Sequence, residues 1–159
     1  MLHDIIFKRI NTMIAKIQSA PKQPSSTQRN NSNLVGLLHE YCKDINHWPA
    51  TWEIVEADLA IGNAITEQFK LFLYSRLEKG RAKKTIKTHA QYLWALGGEL
   101  IRQINEDDSE RQLSAKELIL KYIDDSGGLY WRHARDELEH AQYDSVCKQL
   151  SKFMTENSD

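Results

Sequence analysis

The chain has 159 residues, 41% hydrophobic and 27% charged, and its 21 basic and 22 acidic side chains leave a formal net charge of −1. That length suits one domain with a single core plus a terminal extension, burying roughly 70% of the unfolded surface, and the balanced charge argues against strong nonspecific binding to polyanions. Cys42 and Cys147 stand far apart without CxxC spacing, no apolar run approaches the ~20 residues of a membrane span, and no apolar stretch near the N-terminus leads into a small-residue cleavage site, so the expectation is a cytoplasmic protein with reduced thiols.

In chain order, residues 1–20 place Leu2, Ile6, Ile10, Met13 and Ile17 at helical spacing, with Lys8, Arg9 and Lys16 elsewhere on the wheel. The spacing predicts a short amphipathic helix. Residues 21–33 hold no aliphatic or aromatic side chain and are rich in Pro, Ser, Gln and Asn, which predicts a flexible polar linker that burial cannot order. An apolar helix on such a tether would dock on its own domain or pair with a second copy as a homodimer; three basic residues give a membrane-surface role little support.

Residues 34–156 read as the helical domain. Leu34, Leu37, Leu38, Tyr41 and Ile45 form one stripe, interrupted soon after by Pro49. A second helix is expected from an N-cap at Thr66, burying Phe69, Phe72, Leu73 and Leu77 and stopping at Gly80. A third, Lys83 to Ile104, carries Ile86, Ala90, Leu93, Gly97, Leu100 and Ile104 on one face, with Lys84, Thr88 and Gln91 opposite and Lys87 beside them. Leu113 to Ile123 forms a fourth, capped by Ser114 and ended by Gly127-Gly128. In the tail, Ala134, Leu138 and Ala141 share one face while Val146, Leu150 and Phe153 lie nearly opposite, which predicts a break near Tyr143 and a final helix capped by Asp144 or Ser145. No segment alternates like a strand, so the expected fold is all-α, a compact bundle of four to six helices.

No motif carries an obvious chemistry. His133, Glu137 and His140 share helical spacing but match no common metal template, and no nucleophile elbow or glycine-rich phosphate loop occurs, so neither metal nor cofactor is expected. His89 lies at the edge of the third helix's apolar stripe and reads as a hydrogen-bonded boundary histidine. The four tryptophans, Trp48, Trp52, Trp94 and Trp131, read as core or boundary anchors, with Trp131 beside Arg132, His133 and Arg135 the best alternative for stacking on a base.

Charge is the most informative signal. Residues 70–90 contain Lys70, Arg76, Lys79, Arg81, Lys83, Lys84 and Lys87 against one acid, Glu78, a local charge of +6 that leaves −7 for the rest of the chain. The run spans the turn between two helices, so its potential is concentrated on one corner.

The stretch TEQFKLFLYSRLEKGRAKKTIKTHAQYLWAL, residues 66–96, resembles the core-binding, SAM-like N-terminal domain of tyrosine recombinases, the phage integrases. The family's helix with Phe and Leu, glycine turn, Thr with an aliphatic neighbour and continuing leucines is matched by Phe69, Phe72, Leu73, Gly80, Thr85, Ile86, Leu93 and Leu96, while His89 stands where the family usually has tyrosine. LSAKELILKYI and SVCKQLSKFM extend the likeness loosely over residues 52–155. The resemblance implies a domain that grips duplex DNA without the family's catalytic domain. The catalytic set of Arg, Lys, His-x-x-Arg, a later His or Trp, and a Tyr nucleophile is missing, because in RHARDELEHAQY His133 is followed three residues later by Asp136, and Tyr143 is not a nucleophile candidate. The expected protein is therefore not an enzyme. It would neutralise phosphates with Arg76, Lys79, Arg81, Lys83 and Lys84, with Lys87, Thr88 and Gln91 reaching backbone or major groove. The alternative is a helical protein–protein interaction or dimerisation module whose basic turn meets an acidic partner or serves solubility.

Overall fold

The segment Asp58–Glu78 buries Ile65, Thr66, Phe69, Leu71, Phe72, Leu73 and Leu77. Those positions run right round a helix, the pattern of an element enclosed by its neighbours. The computed structural model describes residue 6, residues 8–12 and residues 24–157, with only the backbone of residues 24–32. Six α-helices are named among them: α1 (Pro24–Tyr41), α2 (Trp48–Trp52), α3 (Asp58–Glu78), α4 (Lys83–Glu106), α5 (Ala115–Tyr122) and α6 (Glu137–Glu156), with short 3-10 turns at Ile45–His47 and Asp108–Gln112. The fold is all-α, with no strand among the described residues, and α3 touches each of the other five helices.

Three expectations are corrected. Helix α3 begins at Asp58, eight residues before Thr66, whose hydroxyl donates to the Gly62 carbonyl at 2.9 Å from inside the helix. A buried threonine bonded back one turn needs no helix end, so the cap signal was misleading. Helix α1 begins at Pro24, so residues 24–33 are helical where a linker was expected. Proline suits the first helical position, and extending a helix from the packed Leu34–Tyr41 turn needs no new nucleus and no apolar side chain. Helix α6 runs unbroken from Glu137 to Glu156, with Asp136 accepting from the Glu139 amide at 2.7 Å as its cap. Its buried stripe is Glu139, Tyr143, Val146, Leu150 and Met154; Leu138 is 68% exposed, Ala141 is exposed and Ala134 precedes the helix, so the apparent phase slip came from residues off that stripe.

Two helix readings hold. The α4 stripe of Ile86, Ala90, Leu93, Gly97, Leu100 and Ile104 is buried throughout. Helix α5 opens on a reciprocal capping box, the Glu117 amide donating to Ser114 Oγ at 3.1 Å and the Ser114 amide to Glu117 Oε2 at 2.8 Å. At the N-terminus, Ile6 and Arg9 line a groove shared with Ala60, Ile61 and Ala64 of α3 and with Leu113, beside the chain's own domain. Leu2, Met13, Ile17 and residues 21–23 lie outside the described residues. Among the described residues no helix is long and apolar enough to cross a membrane.

The core is closest at α2 against α4. A Cβ added to Gly97 would overlap the buried Trp52 ring, whereas one added to Gly98 would meet the same ring at an ordinary 3.5 Å. Gly97→Ala should therefore destabilise by about 1–3 kcal/mol through overpacking, while Gly98→Ala should stabilise by roughly 0.5–1 kcal/mol through helix propensity. Urea denaturation of the two variants checks this: equal effects of the same sign would refute the packing.

Candidate nucleic-acid interface

The corner that carries the basic run is an antiparallel helix hairpin. Helix α3 ends in a Schellman turn, in which the Gly80 amide donates to the Leu77 carbonyl at 3.0 Å and the Arg81 amide to the Arg76 carbonyl at 3.1 Å. Gly80 takes φ 74°, a left-handed conformation that a Cβ would penalise. Ala82 is extended, and α4 starts at Lys83. This tight reversal puts the end of one helix beside the start of the next.

Of the residues expected to meet DNA, Lys79, Arg81, Lys83, Lys84, Lys87, Thr88 and Gln91 are all exposed, and the turn and the first turns of α4 bring them onto one corner. Lys83 lies 4.0 Å from Glu40 and 5.2 Å from the Tyr41 ring centre, a long contact between two exposed groups that leaves most of its charge available. The Thr88 hydroxyl donates to the Lys84 carbonyl at 2.9 Å and keeps its acceptor side free. Arg76 differs from the rest. It is half-buried, its guanidinium carbon 4.8 Å over the Phe72 ring and its Nε without a protein partner, and burial followed by repulsion from Arg81 lowers its pKa from the usual arginine value. Lys70, in the same basic run, is tied at 2.7 Å to Asn46 and 3.0 Å to Glu67 and does not join the corner.

The start of α4 is electrostatically unbalanced. Its N-cap is Ala82, which offers no side-chain bond, and its first turn holds no acid, yet Lys83, Lys84 and Lys87 follow at once. Cations at the positive end of a helix dipole each cost a few tenths of a kcal/mol, and the free amides there are anion donors. A phosphate would relieve both.

His89 corrects its expectation as a hydrogen-bonded boundary residue. It is 8% exposed, stacks on Phe72 with ring centres 5.8 Å apart, and its Nδ1 has no protein partner. Burial, then Arg76 and Arg81, push its pKa down to about 4.

The remaining candidates are occupied elsewhere. His140 binds Asp144 at 3.1 Å and the Trp131 amide at 3.2 Å, His133 lies 3.4 Å from Arg102, and among the described residues no three His, Cys, Asp or Glu side chains converge as a metal site. Trp131 packs against Tyr92 and Tyr143, with ring centres 5.9 and 5.5 Å away, and is not a free stacking platform. Tyr143 is fully buried and burial drives its hydroxyl pKa far up, so it is no nucleophile. The exposed tryptophan is Trp94, at 42%. Its place three residues after Gln91 and seven after Lys87 was the signal that sequence reading passed over.

Compared with known proteins, the chain matches no family model, no curated protein and no solved structure.

The buried histidine has a pH signature. Folded, His89 stays neutral down to about pH 4, whereas in the unfolded chain it takes a proton near 6.5. Between those values the unfolded state binds more protons, so this contribution to stability is complete above pH 6.5 and is lost as pH falls towards 4, by of order 2–3 kcal/mol. Denaturant melts between pH 7 and pH 4.5 (about the span of that window) should show the parent weakening and His89→Phe, which keeps the ring stack, weakening less. Equal pH slopes would refute a neutral buried His89.

Proposed function

We propose that this protein is a non-catalytic DNA-binding protein similar to an integrase core-binding domain, gripping duplex DNA through the α3–α4 corner. The observation that carries the reading is the exposure, on one tight helix hairpin, of Lys79, Arg81, Lys83, Lys84 and Lys87 with Thr88 and Gln91 beside them. Five exposed cations on one corner suit a backbone of regularly spaced phosphates, to which they would contribute affinity without sequence preference. Thr88 and Gln91, one and two turns into α4, bring uncharged hydrogen-bonding groups to the same face, where they would reach phosphate oxygens or base edges in the major groove. The helix start adds free amides and a positive dipole end to the same anion. The sequence resemblance over residues 66–96 points to the same partner.

Binding to a mixed-sequence duplex, followed by fluorescence anisotropy across a salt series, should weaken with a log–log slope of about −0.9 per neutralised phosphate. Replacing Lys83, Lys84 and Lys87 together by Gln should reduce that slope by about 2–3 and leave stability within a few tenths of a kcal/mol, because the relief of cations at a helix N-terminus offsets the loss of the exposed Lys83 contacts to Glu40 and the Tyr41 ring. Parent and triple variant with identical slopes, or no binding at low salt, would overturn the DNA reading and favour a protein-interaction module.

A further inference from the structure

Beside the corner, the end of α1 and the outer face of α4 enclose an open cleft whose lining includes Glu40, Asp44, Lys83, Lys87, Gln91 and Trp94. Its aromatic member on the α4 side is Trp94, whose indole is 42% exposed and so offers apolar surface to the cleft. It is not loose. Its N–H donates to Thr51 Oγ1 at 2.9 Å, and its carbonyl accepts the Trp52 indole N–H at 3.0 Å. With the polar edge satisfied and the backbone pinned, what remains in solvent is a fixed carbon ring.

Around that ring stand the groups a nucleotide needs. Lys87 and Lys83 lie about two and three turns from Trp94 towards the helix start, where they supply cations for a phosphate; Gln91, one turn from Trp94, has an amide that both donates and accepts. Asp44 already accepts from the Trp48 indole at 3.4 Å and the Cys42 thiol at 3.6 Å, so its charge is partly engaged within the protein. Glu40 faces Lys83. The cations, the amide and the aromatic face therefore follow one another along α4, in the order phosphate, base edge, base face.

We propose that this cleft takes an unpaired nucleotide, its base stacked on Trp94 and its phosphate between Lys83 and Lys87, so that the protein favours DNA with a single-stranded extension over a blunt duplex. A paired base inside a duplex presents no free face to a ring, whereas an unpaired one stacks on any aromatic surface. The proposal rests on the DNA reading of the corner and narrows its partner: the corner holds the duplex phosphates, and the cleft, contiguous with it through Lys83 and Lys87, receives the strand that leaves the duplex.

The test compares anisotropy of the full chain with a labelled blunt duplex and with the same duplex carrying a short thymine overhang. The overhang should bind about fivefold tighter or more, the low end of what one base stacked on an aromatic ring contributes. Trp94→Ala should abolish that preference while leaving blunt-duplex affinity within about twofold, and Trp94→Phe, which keeps a ring, should restore most of it. In the parent, tryptophan emission should be quenched by the overhang substrate and not by the blunt one, a readout that needs no variant to fold. Equal affinity for the two duplexes would overturn the cleft and leave the basic corner standing. Binding of the overhang without the blunt duplex would support the cleft and overturn the duplex grip, and no binding of either would overturn both.

Discussion

The placement of the whole hairpin depends on one buried carboxylate. Asp58 is 1% exposed and accepts from the Ile54 and Val55 amides, both at 2.9 Å, from Asn105 Nδ2 at 3.1 Å and from the Arg111 guanidinium at 2.8 Å. Burial alone would push its pKa up, but the bonds from Val55, Ile54, Arg111 and Asn105 outweigh it and hold the carboxyl below its usual value. The network joins the loop before α3, the last turns of α4 and the 3-10 turn that follows. The Asp58 end of the α3–α4 pair is thus fixed by a satisfied charge, and the other end by the Schellman turn at Gly80. Removing one partner of such a buried pair strands the other, which is why these networks resist piecemeal change.

With both ends held, α4 can serve two purposes. Its inner face fills the core, where Gly97 admits the Trp52 ring, and Trp52 in turn donates to the Trp94 carbonyl. Its outer face has no packing to satisfy and carries Lys84, Lys87, Thr88, Gln91 and Trp94. The contact that brings α2 against α4 therefore also fixes the exposed tryptophan. Core and candidate interface are two sides of the same helix, and the rigidity of one pre-organises the other.

How much of this was legible follows from where each residue's signal is local. Helix α4 could be read because its stripe of six residues repeats over five turns without exception, and α5 because Ser114 and Glu117 close a capping box three residues apart. Helix α3 lost its first two turns because an enclosed helix has no stripe to phase against, and Thr66 resembles a cap unless its bond to Gly62 is known. In α6, Leu138 reads as core only if apolar means buried, and it is exposed. The corner cations were legible because lysines beside a glycine turn have nowhere to be buried. The half-burial of Arg76 against Phe72, the stacking of His89 on the same ring and the exposure of Trp94 were not, since each depends on a residue from another turn or another helix.

The net charge of −1 looks like an argument against a polyanion partner, but several acids away from the corner are engaged by side chains of their own domain. Glu110 holds Lys121 and the Tyr122 hydroxyl, Glu139 pairs with Arg135, Arg132 lies 3.7 Å from both Glu99 and Glu106, and Asp58 holds Arg111. At the corner, the acids in reach are Glu78, next to Lys79, Glu40, at 4.0 Å from Lys83, and Asp44, which shares a cleft with Lys83 and Lys87, against five exposed cations. With a Debye length of about 10 Å at 0.1 M salt, surface acids farther off do little to cancel that field. A phosphate approaching the α3–α4 turn would therefore meet a positive surface, which is the electrostatic basis of the DNA reading proposed for this corner.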